Sequence, residues 1–321
     1  MLRLPSVEPA TVKPRATVPF MRIGIFGAAV NEGTIDQVIA EAREAEAGGF
    51  SSYWASQIFG HDALTALALA GREVPRIELG TSVVPTFPRH PIALAQQALT
   101  VNAACGGRLC LGIGLSHQVV IEAMMGLSYD KPVRHLRDYL SVLMPLLHDG
   151  KVSYDGDAYR AQAAITVIGG TAPDVVVAAL GPQLLALAGR LTDGTLTWCV
   201  GPDTLGDFTV PTITAAAEAA GRPAPRIIAA LPVAVTADPA AARERAATTF
   251  AIYGQLPSYR AMLDREGVAG PADLAILGSE QQVADAVAAL ADVGVTDFAA
   301  AEIGATADER EATRAALRQL L

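Results

Sequence analysis

The chain has 321 residues, of which 51% are hydrophobic and 18% charged, and its formal net charge is −9. That apolar content excludes wholesale disorder and supplies a sizeable core. Lysine occurs only at Lys13, Lys131 and Lys151, so no nucleic-acid groove and no polybasic membrane patch is expected, since both need clustered cations. An anionic cofactor is not excluded, because backbone N–H groups at a helix start bind phosphate without lysine. Cys105, Cys110 and Cys199 form no C-x-x-C pair and read as reduced thiols of a cytoplasmic protein. No apolar run reaches the roughly 18–20 residues that cross a bilayer.

In chain order, Met1–Phe20 carries prolines and scattered basic residues without a continuous apolar stretch, and it reads as a flexible leader. Residues 21–321 are expected to form one domain. From Arg22 short apolar runs alternate with amphipathic helical stretches. Strands are predicted at Arg22–Gly27, Ser51–Ser56, Arg76–Val84 and Arg108–Gly114. Helices follow the first three, at about Thr34–Ala47, Asp62–Arg72 and Pro91–Ala104. Gly48-Gly49 and Gly106-Gly107 end the first and third of these, as glycine past a C-terminus does.

A longer excursion follows the fourth strand, with a short helix at Val119–Met125 and a long amphipathic one at Val133–Leu147. Lys151–Tyr159 alternates around Asp155-Gly156, a hairpin-turn dipeptide. Strands return at Asp174–Ala179, Thr195–Cys199, Arg226–Val235 and Thr296–Ala300. Their helices are at Gln183–Leu191, a stretch ending near Gly221, a stretch from Pro239 onward with Glu280–Val293, and a last one to Leu321.

Eight β-then-α units predict a parallel sheet with right-handed crossovers, closed as a (β/α)8 TIM barrel. Insertions fall after strand 4 and before strand 8. The rival is an open doubly wound sheet with a glycine-rich first turn and an acidic residue ending the second strand. The glycines of Gly24-Ile-Phe-Gly27 have the wrong spacing for it, and Tyr53-Trp54-Ala55-Ser56-Gln57 offers no carboxylate.

In such a barrel the site lies at the C-terminal ends of the strands. The residues there are Gly27, then Ser56-Gln57-Ile58, Val83-Val84-Pro85-Thr86, Ser116-His117, Ala179-Leu180-Gly181-Pro182, and Trp198-Cys199. This mostly apolar set suits a flat neutral ring better than a metal or a sugar. At Gly181-Pro182 a close-approach glycine and a helix-starting proline offer either a phosphate cradle or an ordinary strand-to-helix turn.

His117 titrates near neutrality and is the acid/base candidate; its other reading is a polar loop residue or helix cap. Gln57 either meets a ring edge or caps a turn. His90, between Arg89 and Pro91, reads as structural or as a subunit contact. His61, His135 and His148 lack metal-ligand spacing, so no metal is expected. No G-x-S-x-G elbow appears. Glu41, Glu44 and Glu46 read as a solvated helix face.

Three segments together carry a resemblance: Leu79-Gly-Thr-Ser-Val-Val-Pro85, Arg89-His90-Pro91, and Gly106-Gly107-Arg108-Leu-Cys-Leu-Gly-Ile-Gly114. With Ala178–Pro182, Ala188-Gly189-Arg190 and Asp193-Gly194, they resemble the luciferase-like monooxygenase family over nearly all of the chain from Met21. The family uses FMN or the deazaflavin coenzyme F420. In the deazaflavin branch the third strand bulges at a non-prolyl cis peptide under the middle ring, which implies such a bond at Ser82–Val83, after Thr81. The resemblance also implies phosphate binding at Gly181 and Pro182, with Ser56, Gln57, Gly114, Ser116, Ala179 and Leu180 lining the cofactor site.

The Thr81-Ser82-Val83 form, with no FMN-phosphate arginine near Gly181, favours coenzyme F420 over the FMN alternative. The implied activity is hydride transfer between the deazaflavin and a small organic substrate. The alternatives are an FMN-dependent monooxygenase and a non-catalytic cofactor-binding protein. A homodimer is implied by the same resemblance. Gln57-Ile58 stands where several relatives carry Asp-His, and His117 where a sugar-phosphate dehydrogenase of the family carries Glu, so that enzyme's substrate is not expected.

Overall fold

A computed structural model describes residues 21–321; the expected leader lies outside the described residues. Eight parallel strands close into a barrel. They are β1 (Arg22–Gly27), β2 (Ser52–Ala55), β3 (Glu78–Thr81), β4 (Leu109–Gly114), β5 (Asp174–Ala178), β6 (Gly194–Trp198), β7 (Arg226–Val235) and β8 (Asp297–Glu302). Each pairs with its successor, and β8 closes on β1 with Arg22 opposite Asp297. The expected (β/α)8 barrel is what forms.

Helices α1 (Ile35–Ala47), α2 (Ala63–Glu73), α3 (Pro91–Ala104), α4 (Pro132–Asp149), α5 (Pro182–Leu191), α6 (Val210–Ala219), α7 (Glu280–Asp292) and α8 (Ala307–Arg318) follow the strands in turn. Their ends are encoded locally. Thr34 and Gln37 make a reciprocal capping box at the start of α1. Beyond its end Gly49 takes φ +83°, a conformation suited to glycine. Ser279 and Gln282 repeat the box at α7.

Two apolar layers result from the period-two alternation of the strands. Outward-facing residues such as Ile25, Tyr53, Leu111 and Val175 pack against the helices. Inward-facing Trp54, Cys110, Val176, Leu196, Ile228 and Ala299 fill the barrel. Trp54 needs room, and Gly80 on the neighbouring strand supplies it, because a Cβ there would lie 2.2 Å from the indole.

The N-terminal mouth is closed by charge. Arg22, Glu78, Asp174, Arg226 and Asp297 each begin a strand. The Arg226 guanidinium donates to Glu78 at 2.7 Å and Asp297 at 2.6 Å, and reaches Asp174 at 3.3 Å. Arg22 pairs with Glu78 and Asp297 from the other side. Arg226 is only 4% exposed, and a buried cation is tolerable when it is paired this fully.

Several local expectations need correction. The third strand does not run unbroken over 76–84. It stops at Thr81 and resumes as Val84–Pro85, which pairs with Ile113–Gly114. The hairpin joins Lys151–Asp155 to Arg160–Ala164, with Asp155 opposite Arg160, so its loop has four residues and Tyr159 lies in it. Asp138 of α4 anchors this loop by accepting from Ala158 N–H and the Tyr154 hydroxyl.

Of the three glutamates read as a solvated face, only Glu44 is exposed. Glu41 accepts from Ala29 N–H at 3.1 Å and from the Tyr53 hydroxyl at 2.8 Å. Glu46 accepts from Arg76 and Ile77 N–H. Glu41 reaches the start of the short helix Ala29–Glu32 and Glu46 a loop, each occupying backbone donors that would otherwise be unpaired.

Candidate active site

The break in β3 is spliced by one side chain. The buried Thr81 hydroxyl accepts from Gly112 N–H at 2.8 Å and donates to Gly112 C=O at 2.7 Å. It thereby occupies the backbone groups of β4 that face the bulge. Any Cβ at position 112 would sit 1.9 Å from Thr81 C=O, so the splice requires glycine. The Ser82–Val83 peptide is cis, at the bond the family resemblance implied. Val83 packs into the barrel interior and against Gly114. Thr81 therefore holds the bulge from within the wall, while Ser82 and Val83 form it.

At the end of β2, Ser56 is buried and its Oγ accepts from Asn31 Nδ2 at 2.6 Å. Asn31 arrives on a short helix, Ala29–Glu32, whose first N–H is held by Glu41. Gln57 points its carbonyl oxygen at Ala63 N–H, 2.8 Å away, and so caps α2 beside Asp62. Of its two readings, the cap is the one with a hydrogen bond in place.

Ser116 takes φ +60° at the end of β4, and its carbonyl accepts from the Tyr129 hydroxyl at 3.4 Å. His117 follows, half-buried, with Tyr253 and Tyr259 edge-on to its ring at 6.1 and 5.9 Å between centroids. Burial lowers its pKa below the ordinary histidine value, so the imidazole is neutral at pH 7 and has one nitrogen free of a proton.

The end of β5 is open. Ala179 is buried and Leu180 packs on the core. Gly181 is the N-cap of α5 with Pro182 at the first helical position, and no side chain caps that helix. A Cβ at Gly181 would meet nothing within 4 Å. An uncapped helix start facing open space is what an anion-binding turn requires.

Trp198, ending β6, completes an aromatic wall. Its ring lies 5.7 Å from Phe26, 5.2 Å from Phe250 and 6.0 Å from Tyr253. Among the described residues, three buried side-chain polar atoms lack a hydrogen-bond partner, and two of them are at this mouth: Trp198 Nε1 and Asn31 Oδ1. Buried polar atoms are rarely left unpaired. One donor and one acceptor waiting at an apolar mouth fit a flat ring with a polar edge.

Sequence reasoning missed Asn31, Phe26, Phe250, Tyr253 and Tyr259. The available signal was aromatic rarity, since only 5% of the chain is aromatic, although nothing in the spacing brings residues 26, 198 and 253 together. Three of the other histidines serve the scaffold. His90 Nδ1 accepts from Ile92 N–H and caps α3. His61 Nε2 meets Gly33 C=O at 3.0 Å. His135 stacks on Phe87 at 3.8 Å and bonds Thr86. Among the described residues no cluster of His, Cys, Asp or Glu is arranged to hold a metal ion, and no helix is long and apolar enough to cross a membrane.

Comparison with known proteins places this barrel. Residues 20–297 match the family described as luciferase-like monooxygenase. The chain belongs to that family. A protein of Mycobacterium tuberculosis whose name assigns it to the coenzyme F420-dependent oxidoreductases is 32% identical over 190 residues, covering 55% of this chain and 54% of the relative. The chain thus aligns with about half the length of that relative.

The solved coenzyme F420-dependent tetrahydromethanopterin reductase of Methanopyrus kandleri superposes with TM-score 0.79 at 21% identity, covering 94% of this chain and 98% of its own. The oxygenating constituent of 3,6-diketocamphane monooxygenase from Pseudomonas putida, solved with FMN, gives TM-score 0.73 at 16% identity, covering 93% and 96%. At these identities the two structures are like this one in fold.

Proposed function

We propose that the protein is a coenzyme F420-dependent oxidoreductase that transfers a hydride between the deazaflavin and a small organic molecule. The observation that carries the reading is the pair of features flanking the end of β4: the break in β3 between Thr81 and Val84 on one side and the uncapped start of α5 on the other. The first supports a ring by backbone and the second receives phosphate. The mycobacterial relative's name supports the same cofactor.

In this reading Gly181-Pro182 holds the phosphate end, with Ala179 and Leu180 beneath it. Thr81, Ser82 and Val83 carry the ring's supporting backbone, and Ser56, Gln57, Gly114 and Ser116 line the floor. Bound there, the deazaflavin supplies two-electron hydride chemistry, which leaves the protein to bind, orient and move one proton. His117 does the last. Kept neutral by burial, it accepts a proton from a substrate hydroxyl, or as imidazolium returns one to a carbonyl oxygen. Gln57, its carbonyl engaged by Ala63, fixes the adjacent loop and offers its amide N–H groups. Trp198 and Tyr253 exclude water from the same space.

Titration of the purified protein with each cofactor, followed by fluorescence, tests the reading. Coenzyme F420 is expected to bind and FMN to bind more weakly; tight FMN binding with no deazaflavin binding overturns it in favour of the FMN-dependent alternative. His117→Ala is expected to lower turnover 10²–10⁴-fold, the usual worth of a positioned acid/base group, with cofactor affinity retained. Full turnover in that variant removes His117 from the chemistry. The proposal includes a cytoplasmic homodimer, checked by light scattering and by fractionation of the producing cells.

A further inference from the structure

The insertion before β8 carries a helix, Pro257–Glu266. Tyr259, Met262, Leu263 and Glu266 are spaced i, i+3, i+4 and i+7 along it, and so share one side. Met262 and Leu263 are buried. Tyr259 stands at the mouth, its ring centre 5.9 Å from that of His117 and 4.9 Å from that of Tyr253. The stripe begins at the site and ends, two turns on, in a carboxylate.

That carboxylate has a receiver shaped for it. Glu266 Oε2 accepts from Thr204 N–H at 2.7 Å and Oε1 from Asp203 N–H at 3.2 Å, in the turn that follows β6. Gly201 makes the room. A Cβ there would lie 2.1 Å from Oε1, and its three nearest neighbours would all be atoms of Glu266. The backbone at Gly201 is extended, with φ −80° and ψ 169°, a conformation open to any residue. Glycine at 201 is thus required by the carboxylate and not by the path of the chain. Two further ties join the same pair of segments. The Thr204 hydroxyl donates to Met262 C=O at 3.4 Å, and the Arg265 guanidinium lies 4.0 Å from the centre of the Phe208 ring.

The segments so joined are the two that present the aromatic wall. Trp198 lies three residues before Gly201 and Tyr259 seven before Glu266. Tyr253 bridges them, 6.0 Å from Trp198 and 4.9 Å from Tyr259 between ring centres. We propose that Glu266 is a positioning residue of the site, which through Gly201 and Tyr259 fixes this wall against the His117 imidazole. Its bearing on catalysis rests on the proposed function, in which His117 moves the proton; its bearing on the wall does not. Burial is the cause that lowers the His117 pKa. The titratable groups around that ring are Tyr253, Tyr259, Cys199 near both of them, and Tyr129 on Ser116. Burial raises the pKa of all four, so they are uncharged at pH 7. What Glu266 sets is therefore how much water reaches the imidazole.

The test is a titration of the histidines in the full-length protein by NMR of the labelled imidazoles, with the His117 signal assigned from His117→Gln. A hydrogen bond to a charged group is worth roughly ten- to hundredfold in an equilibrium. Glu266→Ala is expected to speed amide exchange in residues 257–266 by about that factor and to move the His117 pKa up toward the ordinary 6.5. Glu266→Gln keeps one acceptor and falls between. Gly201→Ala displaces the carboxylate and reproduces Glu266→Ala, and adding it to Glu266→Ala has no further effect, because the space is then vacant. Glu46→Ala frees two backbone donors before β3, at the other end of the barrel. It is the control for lost stability alone, and it leaves the His117 titration where it was.

A His117 titration unmoved in Glu266→Ala and Gly201→Ala, both folded by circular dichroism, overturns the proposal. So does an equal movement in Glu46→Ala, since general loosening would then be the cause. So does a Gly201→Ala effect that persists undiminished in the Glu266→Ala background, because the carboxylate would then not be what it displaces. If neither of those two variants folds, Glu266→Gln decides in the same way. Full turnover in His117→Ala would remove the proton carrier of the proposed function, and the titration would still decide whether Glu266 holds the wall.

Discussion

Replacing Thr81 by valine tests whether the β3 break is held by the hydroxyl or by the surrounding packing. The two side chains are close in shape, and Thr81 is wholly buried, so the substitution changes hydrogen bonding and little else. It removes the partner of Gly112 N–H at 2.8 Å and of Gly112 C=O at 2.7 Å. An orphaned buried group costs about 1–3 kcal/mol. The carbonyl has a second lone pair, so the N–H carries most of the penalty, and the sum is about 2–4 kcal/mol. That is a large part of the roughly 5–15 kcal/mol by which a domain is stable. Urea unfolding at pH 7 reads it as a lowered midpoint with unchanged slope. Thr81→Ser keeps the oxygen and loses one methyl, about 1 kcal/mol. If valine costs less than about 1 kcal/mol, or if serine is as damaging as valine, the splice is a matter of packing and the hydrogen-bond account is wrong.

Other perturbations separate scaffold from site. Arg226→Met leaves Glu78 and Asp297 with the Arg22 guanidinium alone between them, and a loss of about 3 kcal/mol is expected. Burial would raise the Asp297 carboxyl, but Arg226 and Arg22 outweigh it and hold it below the ordinary value. Unfolding of the variant as pH falls toward 4 should therefore show a shrinking defect, because protonation relieves the under-compensated Asp297 carboxylate. For His135, burial outweighs the nearby Asp138 and lowers the folded pKa from 6.5 to about 4. The unfolded state then binds the extra proton, so this contribution is present above about pH 6.5 and lost as pH falls toward 4. His135→Phe is expected to remove about 2–3 kcal/mol of the pH dependence in that window, read as the difference between the two unfolding curves. At Glu41, burial raises the carboxyl pKa. Glu41→Ala orphans Ala29 N–H and the Tyr53 hydroxyl and is expected to cost about 2–4 kcal/mol, whereas Glu41→Gln, which keeps an acceptor, costs less; equal losses in thermal or urea unfolding contradict this.

The barrel was legible because its signals are local and repeated eight times. Apolar runs such as Val175–Val177 are bounded by glycine, proline and capping residues, and each boundary is set within a few positions of chain. The bulge was not legible in this way. Leu79 through Pro85 is apolar enough to read as one strand, and the cis bond at Ser82–Val83 was indicated by family resemblance alone. The glutamates failed for a related reason. On a helical wheel Glu41 and Glu46 are polar and outward, but their carboxylates reach the N–H groups of Ala29, which starts a short helix, and Ile77, in a loop. Tertiary hydrogen bonds of that kind have no period. The aromatic wall of Phe26, Trp198 and Tyr253 is assembled from positions more than fifty residues apart, so composition could hint at it and spacing could not.

The two ends of the barrel differ in how completely their polar groups are satisfied, and the difference assigns their tasks. At the N-terminal end five charged side chains pair with one another, and Arg226 is fully engaged. At the C-terminal end the Trp198 N–H and the Asn31 carbonyl are buried without partners, α5 begins without a cap, and apolar side chains stand in solvent. Each of those features costs stability in the free protein. A sequence that satisfies its buried groups so thoroughly at one end had the means to do so at the other. The debt is repaid by whatever binds. Under the proposed function, a ligand that accepts from Trp198, donates to Asn31, places an anion on α5 and covers the exposed apolar side chains removes all four costs at once.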